Sequence, residues 1–142
     1  MRSVVTAEGC WVVYADGASR GNPGPSAIGA VIFDDKNREC HCVSEAIGQA
    51  TNNEAEYRAA IAGLEAALAL GAREVELRMD SELVVRQLDS RYRVRNPGLK
   101  RLFARMKDLR WRFASFRATA IPREDNALAD KLANQALDRS GA

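Results

Sequence analysis

Histidine and cysteine are scarce in this chain, and their scarcity excludes whole classes of chemistry. Of 142 residues one is a histidine, His41, and three are cysteines, Cys10, Cys40 and Cys42. Three thiols cannot all pair within the chain, so a closed disulfide framework is excluded and a reducing, cytoplasmic setting is expected. Cys40-His41-Cys42 is the one place where soft ligands gather, with both sulfurs on one face of a strand. No second ligand pair stands elsewhere, so these read as ordinary core or surface cysteines and not as a zinc site. No window approaches the roughly 18 apolar residues of a membrane helix. Met1-Arg2-Ser3-Val4-Val5-Thr6-Ala7-Glu8 also lacks the long apolar stretch of a secretory signal. No membrane partner is expected. Internal repeats, linkers and low-complexity tracts are missing as well.

What is present is a chain that is 46% hydrophobic and 28% charged, too apolar for disorder. Its length favours a single domain over residues 1–142, with 1–9 a flexible or partly ordered N-terminal segment, and a monomer is expected. The net charge of +2 says little, but its distribution says more. Between Arg86 and Arg112 stand ten basic residues (Arg86, Arg91, Arg93, Arg95, Lys100, Arg101, Arg105, Lys107, Arg110 and Arg112) against Asp89 and Asp108. One basic block on an otherwise acidic protein suits a polyanionic partner, and a solvated arginine-rich helix would look the same.

Periodicity orders the elements. Cys10-Trp11-Val12-Val13-Tyr14-Ala15 reads as a strand running into Asp16-Gly17, and Ala18 to Ser26 is dense in glycine and proline, a structured turn. Strands over Ala27–Phe33 and Glu39–Ile47 flank a polar turn, Asp34-Asp35-Lys36-Asn37. Thr51 or Asn52 caps a helix with Tyr57, Ile61, Leu64 and Leu68 at helical spacing, closed by Gly71. Glu74–Met79 alternates like a half-exposed strand, and Asp80 or Ser81 starts a short helix through Leu88. Asn96-Pro97 opens another helix, Trp111–Ala120 alternates as a fifth strand, and a last helix after Pro122 carries Leu128, Leu132 and Leu137. Helical connections between strands three, four and five require parallel crossovers. The expected fold is α/β: a mixed five-stranded sheet, three antiparallel strands then two parallel, flanked by helices.

Four acids stand where stability alone would not place them. Asp16 ends an apolar strand, where an unpaired charge costs several kcal/mol; its plain alternative is a turn-starting Asp beside Gly17. Asp80 stands at another strand end, with helix capping as its alternative. Glu54 and Glu56 point about 200° apart on their helix. Glu54 has Arg58 at i+4, a surface pair, whereas Glu56 shares its face with Ala60, Gly63 and Ala67 and is expected to face the sheet. Asp130 lies in a polar stripe with Asn126 and Asn134 beside the apolar face of the last helix. Together they converge only if something offsets four negative charges. Oxygen ligands without a Cys or His cluster point to Mg²⁺ or Mn²⁺, and two such ions beside a basic surface suit phosphodiester hydrolysis.

Four stretches carry a resemblance. Asp16-Gly17-Ala18-Ser19-Arg20-Gly21-Asn22-Pro23-Gly24-Pro25, Thr51-Asn52-Asn53-Glu54-Ala55-Glu56-Tyr57, Asp80-Ser81, and Pro122-Arg123-Glu124-Asp125-Asn126 ahead of Ala129-Asp130 resemble the motifs of type 1 ribonuclease H, in order and across nearly the whole chain. The resemblance implies a ribonuclease H-like fold and endonucleolytic hydrolysis of the RNA strand of RNA–DNA hybrids by two metal ions. It leaves 3′-hydroxyl and 5′-phosphate ends and keeps double-stranded RNA as a further candidate substrate. The family's four acids map onto Asp16, Glu56, Asp80 and Asp130. Asp16 would bridge both metals, Glu56 and Asp80 would serve the leaving-group side, and Asp130 would serve the attacking water. Substrate-binding positions map onto Asn22, Asn52 and Asn53, with Thr51 in the place of a DNA-strand phosphate contact. The region from Gly17 to Ser19 is set to reach ribose 2′-hydroxyls, the group that marks RNA.

The sequence departs from that family twice. Many members carry a histidine in the loop before the last helix; here the matching position is Ala120, and His41 does not align with it. Arg123 is the candidate for phosphate or product handling in its place, although an arginine cannot act as a general base. The basic protrusion of some members has no room between Asp80 and Asn96-Pro97, so Arg91, Arg93 and Arg95 are expected to supply phosphate contacts. No separate hybrid-binding domain precedes the strands, so affinity is expected to rest on this domain. Two competing readings share the fold: a silent nucleic-acid-binding module and a transposase-like DNA nuclease. The four acids argue against the first, because carboxylates repel phosphates. The short chain and the Asn52-Asn53 pair argue against the second.

Overall fold

The structure is a computed structural model and describes residues 9–89 and 94–141. Apart from Gly9, the expected N-terminal segment lies outside the described residues, as do Arg91 and Arg93 of the basic block. The strands are β1 (Cys10–Ser19), β2 (Gly24–Phe33), β3 (Glu39–Ala50), β4 (Glu74–Met79) and β5 (Ser115–Ala120). The helices are α1 (Asn52–Ala69), α2 (Glu82–Leu88), α3 (Pro97–Arg112) and α4 (Ala127–Arg139), the last preceded by a 3₁₀ turn over Arg123–Asn126. One sheet holds all five strands in the order β3-β2-β1-β4-β5. β1, β2 and β3 pair antiparallel, while β4 joins β1 and β5 in parallel, as the crossovers required.

The strands outrun their sequence signals. The first strand is expected to end at Asp16, but pairing continues beyond Asp16↔Gly29 through Gly17↔Ile28, Ala18↔Ala27 and Ser19↔Ser26. The turn rich in glycine and proline shrinks to residues 20–23, because the ladder bonds on either side are worth making wherever partners stand opposite. The Ser19 and Ser26 hydroxyls, 2.6 Å apart, and the Arg20 N–H on the Pro25 carbonyl at 2.8 Å lock this end. Asp16 is thus inside a paired strand.

Three further expectations are corrected. Trp111 belongs to α3 and not to the fifth strand: Leu99, Met106 and Leu109 turn the helix's inward face to the core, which leaves Trp111 outside, and Phe113 is buried as the extended C-cap. β4 is buried and not half exposed, because it sits between β1 and β5. Its polar residues are satisfied internally: Arg78 pairs with Glu76 at 3.0 Å and donates to the Tyr14 hydroxyl at 2.7 Å. Thr119 and Arg117 also donate to Glu76, at 2.8 and 3.2 Å. On α4 the buried residues are Ala129, Ala133, Ala136 and Leu137, with Leu128 exposed and Leu132 only half buried.

The small face of α4 is chosen by how closely the helix approaches. A Cβ at Gly29 of β2 would lie 2.2 Å from the Ala129 carbonyl oxygen and 2.6 Å from the Ala133 nitrogen. α1 covers the other sheet face in the same way, with Gly63 against Val13 and Ala30, and α3 packs on α1. Tyr57, Leu64, Val13, Ile32, Leu77 and Met106 are among the fully buried side chains that fill the space between. Gly29→Ala should therefore displace α4 and cost about 1–3 kcal/mol, an overpacking penalty read as a lower denaturant midpoint at unchanged slope.

Candidate active site

The β1–β4 register builds half of the site. Tyr14 stands level with Arg78 in the parallel ladder, so Asp16, two residues on, stands level with Asp80. Alternation then puts both carboxylates on the α4 side of the sheet. The glycines next to Asp16 admit the two helices. A Cβ at Gly17 would lie 2.4 Å from the Ala55 carbonyl carbon, so α1 starts directly on β1, and the Gly17 N–H donates to Glu56 Oε1 at 2.5 Å. Gly29, the pairing partner of Asp16, is the point where α4 comes down with Asp130. The four acids therefore open on one cleft of about 420 Å³, lined by Asp16, Gly17, Ala18, Ser19, Asn52, Glu56, Asp80, Ser81, Arg123, Asp130 and Asn134.

Burial and like charge set the protonation. Asp16 is 6% exposed. Its pKa is pushed up to about 10 by burial first, then by the Glu56 and Asp80 charges and by hydrogen bonds with Glu56 and Asp130. Glu56 is pushed up to about 7, by burial first and then by Asp80, against the opposing effects of the Gly17 N–H, Asp16 and Arg123. Both carboxyls are thus raised above the ordinary carboxylate range, first because they are buried and then because other acids face the same cleft. Among the described residues no three Asp, Glu, His or Cys side chains are gathered closely enough to ligate a metal outright. The acids share the cleft without forming a finished cage, as like charges do. An all-oxygen donor set with suppressed ionisation fits a hard divalent cation, Mg²⁺ or Mn²⁺, held by Asp16, Glu56, Asp80 and Asp130.

Of the other residues singled out in the sequence, Gly17, Ser19, Asn52 and Arg123 line the cleft. Asn22, Thr51 and Asn53 flank it. The Asn22 side-chain oxygen accepts the Asn52 N–H at 3.0 Å, tying the 20–23 turn to the start of α1. Thr51 is the N-cap: its hydroxyl oxygen accepts the Glu54 N–H at 3.1 Å, while Glu54 Oε1 accepts the Thr51 N–H at 2.8 Å. Glu54 is thus half of a capping box and not a surface partner of Arg58, which reaches the Ile47 carbonyl instead. The Thr51 O–H hydrogen stays available to donate. Ala120 is the last residue of β5, His41 lies in β3, and Cys40 and Cys42 are exposed on that strand. Arg95 is described, and no helix intervenes between α2 and α3 among the described residues.

Asn126 is the residue that sequence reasoning passed over. It is 1% exposed, and its amide donates to Asp80 Oδ1 at 2.7 Å and to the Ala15 carbonyl at 2.9 Å. One side chain thus holds the end of β4 to the backbone beside Asp16. Its position four residues before Asp130 was visible, but that spacing signals a shared helix face, not a bond to a strand end. Asn134 does likewise for Asp130, donating to Oδ1 at 3.2 Å. Ser81, the N-cap of α2, was read as a cap alone but also lines the cleft.

A five-stranded sheet in this order, with one acid each from β1, α1, the end of β4 and α4 on a common cleft, defines a ribonuclease H-like protein. A family described as "Reverse transcriptase-like" matches residues 14–136. The chain is 46% identical over 125 residues to ribonuclease HI of Halobacterium salinarum, covering 88% of this chain and 63% of that one. It is also 46% identical over 128 residues to a bifunctional protein of Mycobacterium tuberculosis, covering 89% of this chain and 35% of that protein. It therefore spans about a third of the mycobacterial relative and less than two thirds of the archaeal one. The solved RNase H1 of H. salinarum superposes with a TM-score of 0.89 at 45% identity, covering 92% of this chain and 98% of that chain. LC11-RNase H1, solved in complex with an RNA/DNA hybrid, gives 0.87 at 44% identity, covering 93% and 99%. The chain belongs to the type 1 ribonuclease H family.

Two outcomes follow from this geometry. Both raised pKa values mean that the folded protein binds more protons than the unfolded chain, so without divalent cations stability falls as pH rises from about 4 through 7 toward 10. Asp16→Asn should flatten that fall and raise Tm at pH 8 in EDTA by about 2–4 °C for each kcal/mol of repulsion relieved, checked by calorimetry. Asn126→Ala should raise the Mg²⁺ concentration for half-maximal activity and lower turnover by about 10- to 100-fold, as loss of a ligand-orienting partner does. A parallel Tm separates this from unfolding.

Proposed function

We propose that the chain is an endonuclease that hydrolyses the RNA strand of RNA–DNA hybrids with divalent metal. The observation that carries the reading is the convergence of Asp16, Glu56, Asp80 and Asp130, through register and close helix packing, on a cleft whose protonation calls for positive charge. The hybrid bound by LC11-RNase H1, a structure alike over 93% of this chain, supports the substrate class.

When bound, paired Mg²⁺ or Mn²⁺ ions would activate water and stabilise the leaving oxygen of the phosphodiester. The chain's own residues have separable roles. Asp16 and Glu56, raised by burial, would have to be ionised to hold a cation, so metal loading would be pH-dependent. Asn126 holds Asp80 and Asn134 holds Asp130 in place. Arg123, on the same cleft and close enough to lower the Glu56 pKa, is placed to hold a phosphate oxygen. Donors around Gly17–Ser19 and Asn52 suit ribose and groove shape without reading bases, so cleavage with little sequence preference is the consequence. Thr51 offers its O–H beside the N-terminus of α1, where an anion is favoured. The thiols fit a reducing compartment.

The test is cleavage of an end-labelled hybrid with and without Mg²⁺. RNA-strand products bearing 5′-phosphates are expected, with Asp16→Asn losing more than the ~100-fold that marks an outer-shell defect. Arg123→Ala should lower turnover at least about tenfold, some 1.4 kcal/mol of barrier, with the fold intact. Hybrid binding without turnover would instead identify a silent module, and DNA cleavage alone a transposase-like nuclease.

A further inference from the structure

Among the described residues Trp111 is the largest apolar side chain left in water, 79% exposed on the last turn of α3. It ends a stripe of exposed residues, Lys100, Ala104, Lys107 and Trp111, spaced along the outer face of the helix. α3 carries six cations and one acid, Asp108, which is paired with Arg105 at 3.1 Å and with Arg112 at 3.4 Å. Arg105 also bonds Glu65 of α1 at 2.5 Å, and Arg110 lies over Phe116 and donates to the Leu88 carbonyl. Those arginines have structural partners. Lys107 lies 5.9 Å over the Phe103 ring with its ammonium still exposed, and the chemistry the stripe offers to solvent is positive charge with one bare indole.

A partner complementary to that face must be anionic and must present flat rings. A duplex offers phosphates but hides its ring faces in stacking, and an acidic peptide offers charge with rings only where aromatic residues interrupt it. A single strand of nucleic acid offers both. The helix also runs the right way. A Cβ at Gly98 would stand 3.1 Å from Glu54 Oε2, so α3 begins beside the capped start of α1, the helix whose Asn52 and Glu56 line the cleft. From there 16 residues carry the stripe about 24 Å away, the length of several nucleotides. We infer that the outer face of α3 binds single-stranded nucleic acid leaving the hybrid, with Lys100 and Lys107 on its phosphates and a base stacked on Trp111. The route rests on the hybrid-cleavage reading; the binding itself does not.

The chain has two tryptophans, so Trp11→Phe leaves Trp111 as the only indole. Titration with 12-mers of oligo(dT) and oligo(rU) at low salt should quench its emission. An abasic 12-mer with the same phosphates should bind at least tenfold more weakly. In the otherwise unchanged chain, Trp111→Ala should weaken binding of a labelled oligo(dT) at least tenfold, and Trp111→Phe should restore it to within about threefold. Trp111→Ala should leave kcat and KM on a short blunt hybrid unchanged and raise KM only for a hybrid with a single-stranded DNA overhang. Unchanged Trp111 emission, equal binding of the abasic strand or of polyglutamate, or a Trp111→Ala chain that binds oligo(dT) normally would overturn the inference. Quenching by oligo(dT) in a chain that cuts no hybrid would uphold this surface and remove the hydrolytic reading instead.

Discussion

Four carboxylates repel one another, and much of this fold serves to hold them together in spite of that. Each arrives on a different element, and each element is restrained by something unrelated to the acid it carries. β1 and β4 are locked by the parallel ladder, α1 by its capping box and its seat on Gly17, and α4 by its seat on Gly29. The pKa values of Asp16 and Glu56 are raised first by burial and then by the neighbouring acids, so negative charge is disfavoured there until something offsets it.

The same sheet face shows the opposite solution a few residues away. Glu76 and Arg78 are as buried as Asp16, yet they are matched in sign and bonded to Tyr14, Thr119 and Arg117. There burial opposes the charged carboxyl of Glu76, but the bonds from Arg78, Thr119 and Arg117 outweigh it and hold the pKa below its usual range. Two clusters of ionisable groups on adjacent stretches of β4 thus differ only in whether their charges are compensated. A compensated cluster is structural; an uncompensated one is ready to bind a cation. Asn126 stands beside the second, neutral and buried, fixing Asp80 without cancelling its charge.

How far the sequence could be read depended on whether a feature was local. Strand β4, helix α1 with its Thr51 cap and the start of α3 at Asn96-Pro97 follow from propensity and capping chemistry, and the structure has them as expected. The choice of Glu56 over Glu54 was legible from Ala60, Gly63 and Ala67 on its face, and Glu56 does reach the cleft. The misjudged features are those decided by packing. Trp111 and Phe113 alternate like strand residues, but Trp111 lies on the last turn of α3 facing water, and only Phe113, the extended cap after it, is buried. Leu128 and Leu132 look like the inward face of α4, yet the helix seats its backbone at Ala129 and Ala133 on Gly29, which leaves Leu132 half buried and Leu128 exposed.

By itself the amino-acid sequence determined most of the elements that form and which acids stand at their ends. Those properties belong to single residues and near neighbours along the chain. Only the tertiary structure decided that Asp16 stands level with Asp80, that Asn126 bridges from the last turn back to both strands, and that burial raises two pKa values while leaving Trp111 in water. Each of these depends on the distance between residues far apart in the chain, which is fixed only when the sheet register and the two glycine seats are in place.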